Sequence, residues 1–526
     1  MELSGPALAS PVDVSRLLDK GLAGNPDDTA LISLETSWTW QELAEDSVRL
    51  AGNLLDLGLK PGDRAASLMP NRCAVLVFYL ACLKAGLIAT PIYYRATPRG
   101  IDRILEASGA SVLIAHRERA ADLAASPSVE KLPHGVIGFG QGALAGARFD
   151  DFIEKEPESE DFAERAPDEP AFLFYLPDGS GEFRGIAHSA RGLGWALASV
   201  AAGYDLQPAD IYLTGTALSH YGGVVQCLAA LASGSRVAVA RNADAAEILP
   251  LLRAEQPTLA FMLRSSMVRL VRDHEAGAKD FASLRYLACG SDQAPLSQVR
   301  DFERQIGVSL HEHFGMAALG PVTVHNGKQG ETEEEVPTGT VGRILPGMEA
   351  EIRGETGYLL PAGMPGRLWL RSPSRMLGHW VGDRVVPAAD TEGWIDTGET
   401  MRADSRGQLV FAGPKQQILF REGESPALKE VETVLMEHPG VTAAGVVRIH
   451  DLLFGESRLA FVSFAESEEP PSEQDLIAFV RSRIGYKAPE QVVAVARLPM
   501  HEDGSLDRSA LRRMAENDLS QDAPAD

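Results

Sequence analysis

The sequence predicts an α/β protein with a largely parallel sheet, followed by a β-rich segment and an α+β C-terminal part. Three observations carry this. Short apolar runs such as 65–69, 111–115 and 259–263 alternate with stretches whose apolar residues recur at helical spacing. From 338 to 412 the texture changes to short strands (348–353, 366–370, 408–411) with Gly and Pro turns between them. After Gly413, helical patterns over 428–438 and 473–484 enclose the apolar runs 443–449 and 458–464. A chain of 526 residues is also too long for one hydrophobic core.

In order, Trp38-Thr-Trp-Gln-Glu-Leu43 leads into a helix over 44–57, which Gly58 and the turn Pro61-Gly-Asp-Arg64 break. A buried strand over 65–69 precedes an apolar helix over 74–84, stopped at Gly86, and a strand over 87–92. A helix over 97–108 and a strand over 111–115 follow. Gly138-Phe-Gly-Gln-Gly142 lacks a full dinucleotide fingerprint and a helix directly after it, so it reads as a glycine-rich connection. Residues 150–170, rich in Asp, Glu and Pro, read as a solvated loop. Helices over 189–203, 222–232 and 244–255 then precede strands over 211–214, 236–240 and 259–263. Buried strands are also expected over 284–288 and 308–311, and a disordered polar tail over 516–526.

The 49 basic and 73 acidic side chains give a net charge of −24. Such a surface repels phosphodiester backbones and anionic lipid, so neither nucleic acid nor membrane is an expected partner. No run of about 18 uninterrupted apolar residues occurs, and no secretory signal is visible. Cys73, Cys82, Cys227 and Cys289 lie far apart without CxxC or metal-ligand spacing. They read as buried thiols in a reducing cytoplasm, and no metal site is expected.

The stretch richest in chemistry is Phe174-Tyr-Leu-Pro-Asp-Gly-Ser-Gly-Glu-Phe-Arg-Gly185, which follows an apolar run. Its glycines free backbone N–H groups to turn toward an anion, and Arg184 adds a cation, so one reading is a phosphate-holding loop. A Pro-Asp-Gly turn between two strands is the other.

The surrounding segments resemble, in order and over roughly residues 10–515, the adenylate-forming superfamily of acyl-CoA synthetases, luciferases and peptide-synthetase adenylation domains. Thr39-Trp-Gln-Glu-Leu43, Pro61-Gly-Asp-Arg64 with Pro70-Asn71, and Leu83-Lys-Ala-Gly86 through Pro91 are similar to its early core motifs. The stretch 174–185 is similar to its phosphate loop. Leu218-Ser-His-Tyr-Gly-Gly223 is similar to the segment lining the acyl pocket, and His311 to Gly320 to the adenine-binding turn. Trp394-Ile-Asp-Thr-Gly-Glu399 resembles the ribose-binding segment, while Lys487-Ala-Pro489 through Asp507-Arg508 resembles the C-terminal end. The resemblance implies a large N-terminal domain (1–415) of two α/β sheets plus a small β subdomain (338–412). It also implies a mobile α+β C-terminal domain (416–526) hinged at Gln416. In the family a carboxylate first attacks ATP to give an acyl-adenylate, and a thiol such as that of CoA then displaces AMP.

By the same resemblance, Gly290, Ser291, Asp292, Glu312, His313, Phe314, Gly315, Met316 and Glu399 would bind the acyl-adenylate. Arg421, Glu422, Gly423, Glu424 and Ser425 would lie beside CoA. His220 stands where the family gates its acyl pocket and is the candidate catalytic residue; a histidine packed on an α/β turn is the other reading. Leu218, Phe261, Met262 and Leu263 are candidates to line the acyl group. Several positions depart from the family pattern. Leu176, Asp178 and Ser180 stand in a loop that has lost phosphate-holding hydroxyls, and Pro177 removes an N–H donor. Arg184 replaces a lysine, Ala317 and Ala318 replace a hydroxyl and a Mg²⁺-associated carboxylate, Pro414 replaces an arginine and Ser505 the adenylating lysine. One lost donor of this kind costs about 3–4 kcal/mol in the transition state. The expectation is therefore an acyl-CoA ligase without adenylation, using CoA and a preformed acyl-adenylate as substrates and neither ATP nor Mg²⁺. A separate adenylating enzyme would be its partner, as in some actinobacterial natural-product pathways. A complete ATP-dependent synthetase, or a non-catalytic adenylate- or CoA-binding pseudoenzyme, are the alternatives.

Overall fold

The computed structural model describes residues 1–140, 146–177, 183–263, 266–267, 270–271, 276–290, 302–325, 340–354, 356–412, 426–451, 455–464, 470–485, 488–500 and 506–518. Two compact units result, one from residues up to 412 and one from residues 426 onward.

In the large unit the predicted apolar runs become the centres of two parallel sheets. Arg64–Leu68 lies between Ile88–Pro91 and Val112–His116, with Ala65 opposite both Ala89 and Val112. All residues of Val112–His116 are buried, as a strand covered on both faces requires. Val136–Phe139 and Ala147–Arg148 extend this sheet on one side. On the other side lie the antiparallel pair Pro170–Pro177 and Phe183–Ser189, then the hairpin Gly378–Val381 and Arg384–Val386. The second sheet runs Leu310–His313, Tyr286–Gly290, Leu259–Leu263, Ile211–Thr214, Arg236–Val239, Thr29–Ile32 and Ser37–Thr39; only the last pair is antiparallel. The β-rich segment forms a third, antiparallel sheet, whose outer strand is the N-terminal Glu2–Ser4.

Local chemistry fixes the helices. Thr39 and Glu42 close a capping box on Trp40–Asp56, so this helix starts earlier than its apolar period shows. Cys73–Lys84 is buried along almost its whole length, between layers rather than on the surface. Thr97 caps Pro98–Ser108, which stops at Gly109 in the left-handed region.

Four expectations need correction. Residues 150–170 are not all loop: Phe149–Glu154 is a helix that buries Phe149 and Phe152. Asn53 Nδ2 secures its end by donating to Phe152 O at 3.0 Å and Lys155 O at 2.7 Å. The acidic composition hid two aromatics at helical spacing. The strand expected over 308–311 is Leu310–His313, two residues later. Gly138-Phe139 is not connection but the end of the strand Val136–Phe139. The helix Arg508–Asp518 carries regular structure into the start of the expected disordered tail; residues 519–526 lie outside the described ones.

The small unit is a three-stranded sheet, Val441–Asp451 antiparallel to Gly455–Phe464, which pairs in parallel with Gln491–Ala494. Pro426–Met436 and Glu473–Ile484 cover one face through Val431, Leu435, Leu476 and Val480. Arg508–Asp518 covers the other through Leu511 and Ala515. Arg508 joins the layers by two bonds to Glu432, at 2.7 and 2.9 Å. In the described residues of both units, no helix is long and apolar enough to cross a membrane.

Candidate functional site

Parallel sheets gather chemistry at the carboxyl ends of their strands. Here the second sheet ends in the loop after Ile211–Thr214, in Gly290 and in the turn after His313, while the first contributes the hairpin Pro170–Pro177/Phe183–Ser189. The hairpin pairs Phe183 with Pro177, Arg184 with Leu176 and Gly185 with Tyr175. The flanking strands are antiparallel neighbours, which both the turn reading and the anion reading allow. Asp178 and Ser180 lie outside the described residues. Arg184 is exposed, and its charge adds to burial in lowering the pKa of His379. Gly185 is required by close packing: a Cβ there would stand 2.8 Å from that of Trp380.

His220 is half-buried in the Ncap position of the helix Tyr221–Ala232, its ring 6.1 Å from that of Tyr93. Leu218 and Phe261 are buried beside this end of the sheet. Met262 is not with them. Strand alternation turns it to the opposite face, into the core with Ile248 and Leu270, so it is removed from the acyl-lining candidates. The side chain of Leu263 is outside the described set.

His313 also requires correction. It is buried, with Tyr204 Oη at 3.1 Å from Nδ1 and Tyr286 Oη at 2.7 Å from Nε2. Tyr212 donates to Gln226 Oε1 at 2.9 Å and Gln226 Nε2 donates to Tyr204 at 3.2 Å, so the Tyr204 proton points at His313 Nδ1. At the far end Tyr286 donates to His325 O at 3.1 Å, which makes His313 Nε2 the donor to Tyr286. The polarity of the whole chain is fixed, and burial holds this imidazole neutral, well below its usual pKa. Neither ring nitrogen is left for a base. His313 supports the turn from beneath, and the alternate side chain Glu312, half-buried, faces the other way.

Beyond it, Phe314 N donates to Thr323 Oγ1 at 2.8 Å, and the Phe314 ring meets Phe411 edge-on at 5.8 Å. Gly315–Met316 pairs antiparallel with Gly320–Pro321. Ala317 O accepts from His188 Nε2 at 2.8 Å, and Ala318 O from Met376 N at 2.7 Å. Ala318, Ile186, Met376 and Ile395 form a buried apolar cluster, with Leu176, Met316 and Ala317 packed against it. Leu176, a departure in the glycine-rich stretch, and Ala317 and Ala318, departures in the turn, thus meet in one place.

His188 was not singled out from the sequence. It shares a strand face with Ile186 and Arg184, is fully buried, and stacks on Tyr221 at 3.6 Å and 21°. A histidine within the apolar run Ile186-Ala187-His188 was the available signal. Asp396 Oδ1 holds Arg367 Nε at 2.6 Å and Gly398 N at 3.0 Å; Gly398, at φ +83°, makes the bulge that turns Glu399. Glu399 is half-buried and its N–H donates to Thr397 Oγ1 at 3.1 Å. Gly290 is buried, paired with His313 and Leu263. Ser291, Asp292, Pro414, Gln416, Arg421 to Ser425 and Ser505 lie outside the described residues.

The family model described as AMP-binding enzyme matches residues 18–380, and that of the AMP-binding enzyme C-terminal domain matches 430–504. The chain belongs to the AMP-binding enzyme family. Among relatives of this AMP-binding enzyme, a feruloyl-CoA synthase of Amycolatopsis sp is 27% identical over 496 residues, 93% of this chain and 96% of the relative. A fatty acid–[acyl-carrier-protein] ligase, ScoC of Streptomyces coeruleorubidus, is 26% identical over 500 residues, 93% of each. The solved structure of the amide bond synthetase McbA from Marinactinospora thermotolerans matches with a TM-score of 0.69 at 25% identity, covering 95% of this chain and 99% of that one.

Proposed function

We propose that this AMP-binding enzyme is an acyl-CoA ligase that performs thioester formation on a preformed acyl-adenylate. The thiol sulfur attacks the acyl carbonyl carbon, the bond from that carbon to the phosphate oxygen breaks, AMP leaves, and the thiol proton passes to solvent. The observation that carries this is the apolar cluster of Leu176, Met316, Ala317 and Ala318 with Ile186, Met376 and Ile395. Adenylation develops charge at phosphorus and depends on preorganised donors and cations, whereas an acyl-adenylate is already activated and needs chiefly positioning and exclusion of water. Ala317 and Ala318 themselves offer a divalent cation no side-chain oxygen.

In this reading Phe314 stacks the adenine, Glu399 reaches the ribose, and His220 stands beside the acyl group. Residues from Gln416 onward form a mobile domain, whose segment 421–425 approaches the thiol. The feruloyl-CoA synthase relative supports CoA as acceptor, and a separate adenylating enzyme supplies the acyl-adenylate. A complete ATP-dependent synthetase is the second reading. It is favoured by Arg184, which keeps a cation in register with Leu176.

Separate assays of the two half-reactions decide. A synthetic acyl-adenylate plus CoA is expected to give thioester well above the uncatalysed rate, and acid-dependent exchange of labelled pyrophosphate into ATP is expected to be absent. Exchange at an enzymatic rate establishes the second reading; no thioester from the adenylate removes the first.

A further inference from the structure

Two side chains from the first sheet's lobe hold Leu218 by both of its backbone groups. Leu218 N donates to Asn71 Oδ1 at 2.8 Å, and Leu218 O accepts from Tyr79 Oη at 2.6 Å. Asn71 Nδ2 donates further to Thr216 O at 2.6 Å and Ala240 O at 3.2 Å. Asn71 lies between Arg64–Leu68 and the helix Cys73–Lys84, on which Tyr79 sits, and both are buried. One turn of the first sheet therefore fixes the residues that follow two adjacent strands of the second, Ile211–Thr214 and Arg236–Val239.

Leu218 stands two residues before His220, whose N–H donates to Ala217 O at 3.1 Å. The helix Tyr221–Ala232 docks on the same loop, so closely that a Cβ on Gly223 would meet Ala217 O at 2.6 Å. The positions of His220 and of the helix start thus follow from where Asn71 and Tyr79 place 216–218.

We propose that Asn71 and Tyr79 are positioning residues that set the acyl preference of the enzyme by fixing the loop 216–220. This rests on the reading above only in taking that loop to face the acyl group. The test is calorimetric affinity for two non-hydrolysable acyl-sulfamoyl-adenosines, benzoyl and octanoyl, in Asn71→Ser, Tyr79→Phe and a control, Ser199→Ala. The control removes another buried bond, from Ser199 Oγ to Pro346 O at 2.6 Å. The ratio of the two affinities is expected to move about tenfold in Asn71→Ser and less in Tyr79→Phe. Ser199→Ala should lower the melting temperature and leave the ratio alone. Tyr79→Phe leaves the Asn71 bonds in place and keeps the test open if Asn71→Ser does not fold. An unmoved ratio in the folded variants, or no binding of either compound to the unmodified protein, overturns the inference. Thioester formation assayed in parallel separates the two claims: a shifted ratio without turnover sinks the ligase reading alone, and turnover with an unmoved ratio sinks this one alone.

Discussion

His188 gives its Nε2 proton to the carbonyl of Ala317 across 2.8 Å, joining the strand that leaves the glycine-rich stretch to the turn after His313. A carbonyl can only accept, so Nδ1 is the bare nitrogen of this ring, buried and without a partner among the described residues. Tyr221 covers the ring face at 3.6 Å. Protonating Nδ1 would place a charge where nothing answers it, and burial accordingly lowers the pKa to about 3.

A pH dependence of stability follows. Among the described residues, burial also lowers His311 to about 3 and His116 to about 4, with His313 and His325 lowered as well. An unfolded histidine titrates near 6.5, so below that pH the unfolded chain binds protons that the folded one refuses. Stability is then fully present above about pH 6.5 and declines as pH falls toward these folded values, each imidazole contributing up to about 1.4 kcal/mol per unit. Between pH 6.5 and about 5.5 the carboxylates contribute little, so the urea midpoint should fall there, and less steeply in His188→Gln. Equal midpoints at pH 7.5 and 5.5 would contradict this.

The Tyr221 hydroxyl is buried without a hydrogen bond partner among the described residues. Leaving a hydroxyl so placed is unfavourable, and removing it relieves roughly 1 kcal/mol. Tyr221→Phe, which keeps the stack on His188, is expected to melt about 1–2 °C higher. A lower melting temperature would show that the hydroxyl has a role in the unliganded protein.

Much of the fold was legible because parallel strands carry apolar runs and their helices carry a 3.6-residue period. The start of Trp40–Asp56 was less legible: it falls before the helix expected from 44, because its capping box of Thr39 and Glu42 lies outside the apolar period. The hairpin of Thr29–Ile32 and Ser37–Thr39 was not legible, since strands this short bury too few residues to show a pattern. Nor could the sequence show that Gly378–Val381, inside the β-rich segment, pairs with Phe183–Ser189 of the first sheet. Such pairing is a tertiary choice that neither strand announces.

The departures from the family pattern were visible position by position but not in their grouping. The departures at Leu176, Ala317 and Ala318 are about 140 residues apart in the chain, and only the fold brings them into one apolar cluster. His313 misled because both of its ring nitrogens are engaged by buried tyrosine hydroxyls, which no neighbour in sequence indicates. Its partners Tyr204 and Tyr286 are too distant in sequence to suggest the network.

That network predicts strong coupling. His313→Leu leaves two tyrosine hydroxyls without their nitrogen partners and should destabilise the protein by roughly 2–4 kcal/mol. Tyr286→Phe alone breaks the bonds to His313 Nε2 and to His325. The double substitution should cost less than the sum, by about 1–2 kcal/mol, because the second removes a group the first had orphaned. Additive denaturation energies would mean that the chain is not a single unit.

The apolar cluster gives the most direct prediction about chemistry. Ala318 is 5% exposed, and its surroundings are Ile186, Met376 and Ile395. Restoring the family's carboxylate by Ala318→Glu places a charge among hydrocarbon, at a cost of roughly 2–4 kcal/mol unless the cluster opens. On the thiolation-only proposal the expected outcome is a lower melting temperature with no pyrophosphate exchange gained, in the single variant and in Ala317→Thr/Ala318→Glu alike. The obstacle would be the whole packed cluster, of which Leu176 and Ile395 are as much a part as the two alanines. Exchange appearing in the double variant at undiminished stability would instead mean that two side chains separate this enzyme from an adenylating one.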